Sequence, residues 1–114
     1  MDIEKVDEHL KEKLKNPYFK ELHELEEQKL GIVKRIISYR IKNNLSQKEL
    51  ARKIKITQQH ISKIENGDFS SIITLEKVLL AVGYTVRISA VPLNQKIRDN
   101  IEHIIAQNKL QFAS

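Results

Sequence analysis

Two helix starts eleven residues apart constrain this 114-residue chain more than any other feature. Ser46-Gln47-Lys48-Glu49 has the form of a capping box, with serine at the N-cap and glutamate three residues later. The helix it opens would present Leu50, Ala51 and Ile54 inward. Lys55-Ile56 leaves room only for a short turn. Thr57 then caps a second helix, from Gln58 to about Glu65, with Ile61 and Ile64 on its apolar side and Asn66-Gly67 as its stop. Two helices this short gain little stability alone and must bury their apolar sides in a shared core.

The flanks carry apolar periodicities of their own. Ile3, Val6, Leu10 and Leu14 recur at helical spacing and predict an amphipathic helix over residues 3–15. Asn16-Pro17 reads as a cap followed by proline at the first helical position. From Tyr18/Phe19 through Leu22, Leu25, Ile32/Val33 and Ile36/Ile37 to Arg40 the helical period continues. Residues 18–42 are then one long helix or two that meet near Gly31, ended by Asn43-Asn44. Ser70 or Ser71 starts another helix with Ile72, Leu75, Val78, Leu79 and Val82 on its apolar face, closed by Gly83. Tyr84-Thr85-Val86-Arg87-Ile88-Ser89 alternates and predicts a strand, which Pro92 breaks. A last amphipathic helix starts near Asn94 and carries Ile97, Ile101, Ile104/Ile105 and Leu110.

Charge is divided along the chain. Residues 1–30 hold nine acids and six bases, a net −3, and residues 31–69 hold nine bases and three acids, a net +6. Residues 70–114 add +2. A basic centre suits a polyanion such as DNA, although solvated lysine-rich helices give the same signal. With no cysteine, disulfides and thiolate metal sites are excluded. No apolar run approaches the roughly 20 residues that span a bilayer, and the N-terminus is unlike a secretory signal, so a cytoplasmic protein is expected. His9, His23 and His103 are scattered, and Glu24, Glu26 and Glu27 read as a solvated helix face. No metal site, cofactor or enzymatic activity is therefore expected.

The second short helix has the make-up of a major-groove reader. Gln58 and Gln59 stand at its exposed start, and a glutamine amide can match adenine with two hydrogen bonds. Lys63 lies one turn beyond Gln59, while Ile61 and Ile64 point the other way.

The run SQKELARKIKITQQHISKIENG resembles the Xre/phage-repressor (lambda-repressor-like) helix-turn-helix. The family pattern falls here on Arg40, Leu45-Ser46-Gln47, Leu50-Ala51, Gln58, Ile61, Ile64-Glu65 and Gly67. The resemblance implies a mainly α protein with a five-helix DNA-binding domain over 30–83. A helical leader (1–29) precedes it, and a strand plus helix (84–114), a candidate dimerisation segment, follows. It also implies a phosphate contact by Gln47, bases facing Gln58, Gln59 and Lys63, and Asn66 near the DNA backbone. With Thr57, His60 and Ser62 from the same helix, these form the candidate DNA-binding set, although His60 is as readily neutral filler. Arg40 and Glu65 would pair structurally across helices. Lys55 departs from the pattern, since the family's turn usually has glycine there. Either Lys55 is left-handed, at a cost of roughly 1 kcal/mol, or the turn differs.

The leader HLKEKLKNPYFKELHELEEQKL and the later GYTVRISAVPL resemble the flanks of HigA-type antitoxins. That likeness implies a homodimer on a double-stranded operator that represses its own operon and neutralises a basic, ribosome-dependent RelE/HigB-like ribonuclease toxin. Val6, Leu10, Leu14, Tyr18, Phe19 and Leu22 would be the toxin-binding stripe. The alternatives are a leader that only packs on the core, and a stand-alone Xre-family repressor with no toxin partner.

Overall fold

Pro17 begins a helix rather than breaking one, because the first helical residue has no intrahelical N–H bond to lose. Asn16 caps that start, its Oδ1 accepting from the N–H groups of Tyr18 and Phe19 at 3.0 and 3.2 Å. The structure is a computed structural model that describes residues 3–112, with side chains described for residues 7–108. Among these residues the elements are α1 (Ile3–Leu14), α2 (Pro17–Lys42), α3 (Gln47–Ile54), α4 (Gln58–Glu65), α5 (Ile72–Ala81) and α6 (Gln95–Phe112). α2 is a single helix with Gly31 inside it.

The chain divides into two units, one of them residues 27–89. Its core joins Ile36 of α2, Leu50 and Ala51 of α3, Ile61 and Ile64 of α4, and Leu75, Val78, Leu79 and Val82 in or just after α5. Ile32, Tyr39, Leu45, Ile54, Ile56, Phe69 and Val86 pack around them. Each fully buried leucine or isoleucine contributes roughly 2 kcal/mol, and this shared burial holds helices of only eight residues in place. Ile72 is an exception to the expected apolar face. As the first residue of α5 it is exposed.

The other unit combines the described residues before 27 with those from 90 onward. Within it the start of α6 lies beside the α1–α2 turn, where Lys15, Pro17, Asn94, Lys96, Ile97 and Asn100 line a shallow pocket. Asn94 caps α6, its Oδ1 accepting from the N–H of Ile97 at 2.9 Å. Phe19 stacks on His23, and the Lys13 ammonium lies over the Phe19 ring, 5.7 Å from its centroid.

Four helix ends in residues 27–89 close in the same way. Each places one residue in the left-handed region: Asn44 after α2, Lys55 after α3, Gly67 after α4 and Gly83 after α5. The next N–H reaches back five residues each time: Leu45 to Arg40, Ile56 to Ala51, Asp68 to Lys63 and Tyr84 to Leu79, at 2.8–3.0 Å. This is the Schellman closure, which satisfies carbonyls that a helix end leaves unpaired. Lys55, at φ 66° and ψ 43°, is therefore left-handed, and the turn keeps its form without glycine.

Two expectations need correction. Residues 30–83 contain four helical elements, the end of α2 with α3, α4 and α5, not five. The expected strand at 84–89 does not form either; no strand is present among the described residues. The sequence of 84–89 has strand character, but a strand needs a neighbour for its N–H and C=O groups. No other described segment supplies one.

A polar clamp joins α2 to the end of α4. Arg40 donates from Nε to Glu65 Oε2 and from Nη2 to Glu65 Oε1, both at 2.9 Å, and from Nη1 to the Leu45 carbonyl at 3.2 Å. The two side chains retain only 19% and 6% of their exposure. The hydrogen bonds to Glu65 raise the Arg40 pKa further above its already high ordinary value, against the opposing effect of burial.

Two variants test these points. Lys55→Gly should raise stability by roughly 1 kcal/mol by removing the left-handed strain, read as a higher denaturant midpoint at constant m-value; an unmoved midpoint would mean position 55 stores no strain. Arg40→Ala should lower stability by about 3 kcal/mol because it strands the Glu65 carboxylate. Unfolding at the parent's midpoint would show the clamp to be idle.

Candidate nucleic-acid interface

The capping box at α3 is complete. Ser46 Oγ accepts from Glu49 N–H at 3.0 Å, and Glu49 Oε1 accepts from Ser46 N–H at 3.1 Å. Those bonds from the Ser46 backbone and side chain hold the Glu49 carboxyl below the usual carboxylate range. The box fixes where α3 begins and so where Gln47, its first residue, stands.

Thr57 performs the same task for α4. Its Oγ1 accepts from His60 N–H at 3.3 Å and lies 3.1 Å from His60 Nδ1. Thr57 and His60 thus spend part of their hydrogen-bonding capacity on the helix start. Gln58, Gln59, His60 and Lys63 are all exposed, and Ser62 is half-buried. Ile61 and Ile64 are buried on the opposite side. The result is a short helix fastened by its apolar side, with two amides and an ammonium free to reach outward. Its N-terminal end carries the positive pole of the helix dipole, which favours an approaching phosphate chain.

Gln47 and Asn66 are less free. The Asn66 side chain donates from Nδ2 to the Ser62 carbonyl at 2.9 Å, completing the end of α4. Gln47 is half-buried and donates from Nε2 to Glu65 Oε1 at 3.1 Å. The structure thus brings Gln47, Arg40 and Glu65 into one hydrogen-bonded group, a link absent from the sequence reading. Gln58, Gln59 and Lys63 lie together on the exposed side of α4.

Sequence reasoning also passed over Ser70, Ser71 and Thr74. They line a small recess with His60, Lys63, Ile64 and Asp68 beside α4. Ser71 caps α5, its Oγ accepting from Thr74 N–H at 3.2 Å. The signal is the hydroxyl pair Ser70-Ser71, with two residues between it and the Asn-Gly stop, a pair that the sequence offers as alternative caps. Lys48, Arg52 and Lys53 of α3 add exposed cations, and Lys53 also donates to the Tyr39 hydroxyl at 2.7 Å.

The proposed toxin-contact stripe lies in the other unit. Leu10, Leu14, Tyr18 and Phe19 are half-buried, and Leu22 is exposed. The side chain of Val6 lies outside the described residues. Leu25, one turn beyond Leu22 on α2, is a further exposed leucine.

No curated protein and no solved structure matches the chain. Residues 36–87 match the family HTH_3, described as Helix-turn-helix. The match spans the end of α2, α3, α4, α5 and the extended segment after it, which is the frame of the exposed α4 surface. Residues 36–87 are thus similar to a helix-turn-helix domain of the Xre/lambda-repressor-like kind, a likeness that supports binding to double-stranded DNA.

Proposed function

We propose that this chain is a non-enzymatic, cytoplasmic antitoxin that represses its own operon and neutralises a RelE/HigB-like ribonuclease toxin. The observation that carries the DNA half is the separation of roles around α4. Gln58, Gln59 and Lys63 face out, while Ile61 and Ile64 lock the helix to the core. In this reading Gln58 and Gln59 read base edges, Lys63 meets bases or phosphates, and Gln47 donates to a phosphate oxygen. Thr57, His60, Ser62 and Asn66 border that contact.

One reading helix covers only a few base pairs, so the protein acts as a homodimer on a two-fold operator. The segment after Gly83 supports a seam there. Among the described residues its N–H and C=O groups have no neighbouring strand, and Ile88 and Val91 remain 66% and 76% exposed. Thr85 Oγ1 and the Val86 N–H both donate to the Glu76 carboxylate, which holds the start of the segment extended beside α5.

The toxin half rests on the acidic leader, the exposed Leu22 and Leu25, and the likeness of the flanks to HigA-type antitoxins. An apolar helix face with acidic neighbours suits a cationic partner, through groove binding and faster encounter. A second reading, a stand-alone repressor, has its own observation. Leu10, Leu14, Tyr18 and Phe19 are already half-buried within their own unit, as packing residues would be.

Two experiments test these readings. Gln58→Ala should weaken binding to the chain's own promoter DNA by about 1–3 kcal/mol and relax specificity; parental gel shifts from the Gln58→Ala/Gln59→Ala double variant would overturn the assignment. Leu22→Asp/Leu25→Asp should abolish growth rescue in cells expressing the neighbouring gene's product while leaving promoter binding intact. Full rescue by that variant, or failure of the product to co-purify with the parent, would favour the stand-alone repressor.

A further inference from the structure

The Arg40–Glu65 pair has a third member that neither the core nor the ion pair requires. Gln47 Nε2 donates to Glu65 Oε1 at 3.1 Å, on the oxygen that also accepts from Arg40 Nη2. A carboxylate can only accept, so the amide nitrogen of Gln47 must be the end that faces it. That settles the amide's orientation, which for a solitary glutamine would be free. An amide nitrogen has two N–H groups. One is committed to Glu65, and the second remains for another acceptor.

We propose that Glu65 is a positioning residue for DNA binding: it orients the Gln47 amide so that its remaining N–H donates to a phosphate oxygen. The inference rests on the reading above that Gln47 meets the DNA backbone. The site is arranged to permit it. A bare carboxylate beside a phosphate chain would repel it, but two charge-assisted hydrogen bonds from Arg40 neutralise Glu65. Arg40 also holds Glu65 in place through its third bond to the Leu45 carbonyl, one residue before the Ser46 cap. Ser46 in turn fixes the backbone of Gln47 at the start of α3. Backbone and side chain of Gln47 are thus both fixed before any DNA arrives, so little rotamer entropy is lost on contact. Gln58 and Gln59, exposed on α4, have no comparable anchor among the described residues. Fixed backbone contact with adaptable base readers is a division suited to sequence reading, because phosphate contacts set register and base contacts select.

The test is a double-mutant cycle on DNA affinity, with a mixed-sequence duplex and the chain's own promoter DNA as probes. Gln47→Ala in the parent should weaken binding to both by about tenfold, since a phosphate contact carries no sequence information. The same substitution in an Arg40→Met/Glu65→Leu background should weaken it no more than about twofold, because the amide there has lost its anchor. An apolar replacement of both partners preserves folding better than removing one, and thermal melting checks this separately. Equal losses in the two backgrounds would overturn the inference and leave the Gln47 contact standing. No loss from Gln47→Ala in the parent would overturn both. NMR relaxation of side-chain amides in the parent needs no variant: Gln47 should be rigid and Gln58 mobile. A Gln47 amide as mobile as that of Gln58 would overturn the positioning role even if the apolar pair fails to fold.

Discussion

Arg40 holds together three pieces of chain that sequence keeps apart. Its guanidinium meets Glu65 at the end of α4 with two hydrogen bonds and the Leu45 carbonyl in the α2–α3 turn with a third. Lysine could not replace it, because only a planar fork can meet a carboxylate side-on and still offer a further donor. The clamp matters because α4 is eight residues long, too short to keep its shape unaided. Ile61 and Ile64 prevent it from lifting off the core, and Glu65 fixes its far end. A helix held at its apolar side and at one terminus has little freedom to roll. Its exposed face, with Gln58, Gln59 and Lys63, is therefore set by groups packed away from that face.

The loops serve the same end by repetition. Four helices end in one hydrogen-bond pattern, and each spends a single left-handed residue on it. Glycine takes that position after α4 and α5. Asparagine 44 takes it after α2, where a short polar side chain tolerates the conformation. Lys55 is the costly case, and it sits between the two helices of the motif. The core compensates: Ile54 and Ile56, on either side of Lys55, both pack against it. Tertiary burial thus overrides a local preference, at the point where the motif's geometry leaves no choice.

What the sequence revealed follows from how local each cause is. The caps at Asn16, Ser46, Thr57 and Asn94 act within three residues, and each could be read directly from its neighbours. The inward faces of α3 and α4 were legible from spacing because buried isoleucine and leucine at three- and four-residue intervals admit one interpretation. The Arg40–Glu65 pair spans 25 residues and was reached only through likeness to a family. The Gln47–Glu65 bond spans 18 and was not foreseen, since nothing in residue type or spacing distinguishes a glutamine that will be anchored from one that will not. The strand expected at 84–89 fails to form for a different reason. Alternation reports that a segment is fit to pair, whereas pairing depends on a second segment. Val86 packs on the core as its alternation demands, but Ile88, two residues on, has nothing over it.

The charge split along the chain also means less, and then more, than it first suggests. Within α2 Lys20 stands in the first turn, the acids Glu21, Glu24, Glu26 and Glu27 follow it, and from Lys29 on the bases Lys34, Arg35, Arg40 and Lys42 run to the end. The dipole of α2 favours Arg40 and Lys42 in its last turn, but its first turn holds no acid. Only the bases at the end of α2 therefore have an explanation inside the helix. The leucines do not. Leu22 and Leu25, three residues apart among those acids, stay exposed although apolar burial is the main force that orders such a chain. Helix propensity favours leucine only weakly over the polar residues that could stand there. The pair of exposed leucines, more than the acidic count, is thus the feature of the leader that internal folding leaves without a purpose, and it is on that surface that a protein partner has something to gain.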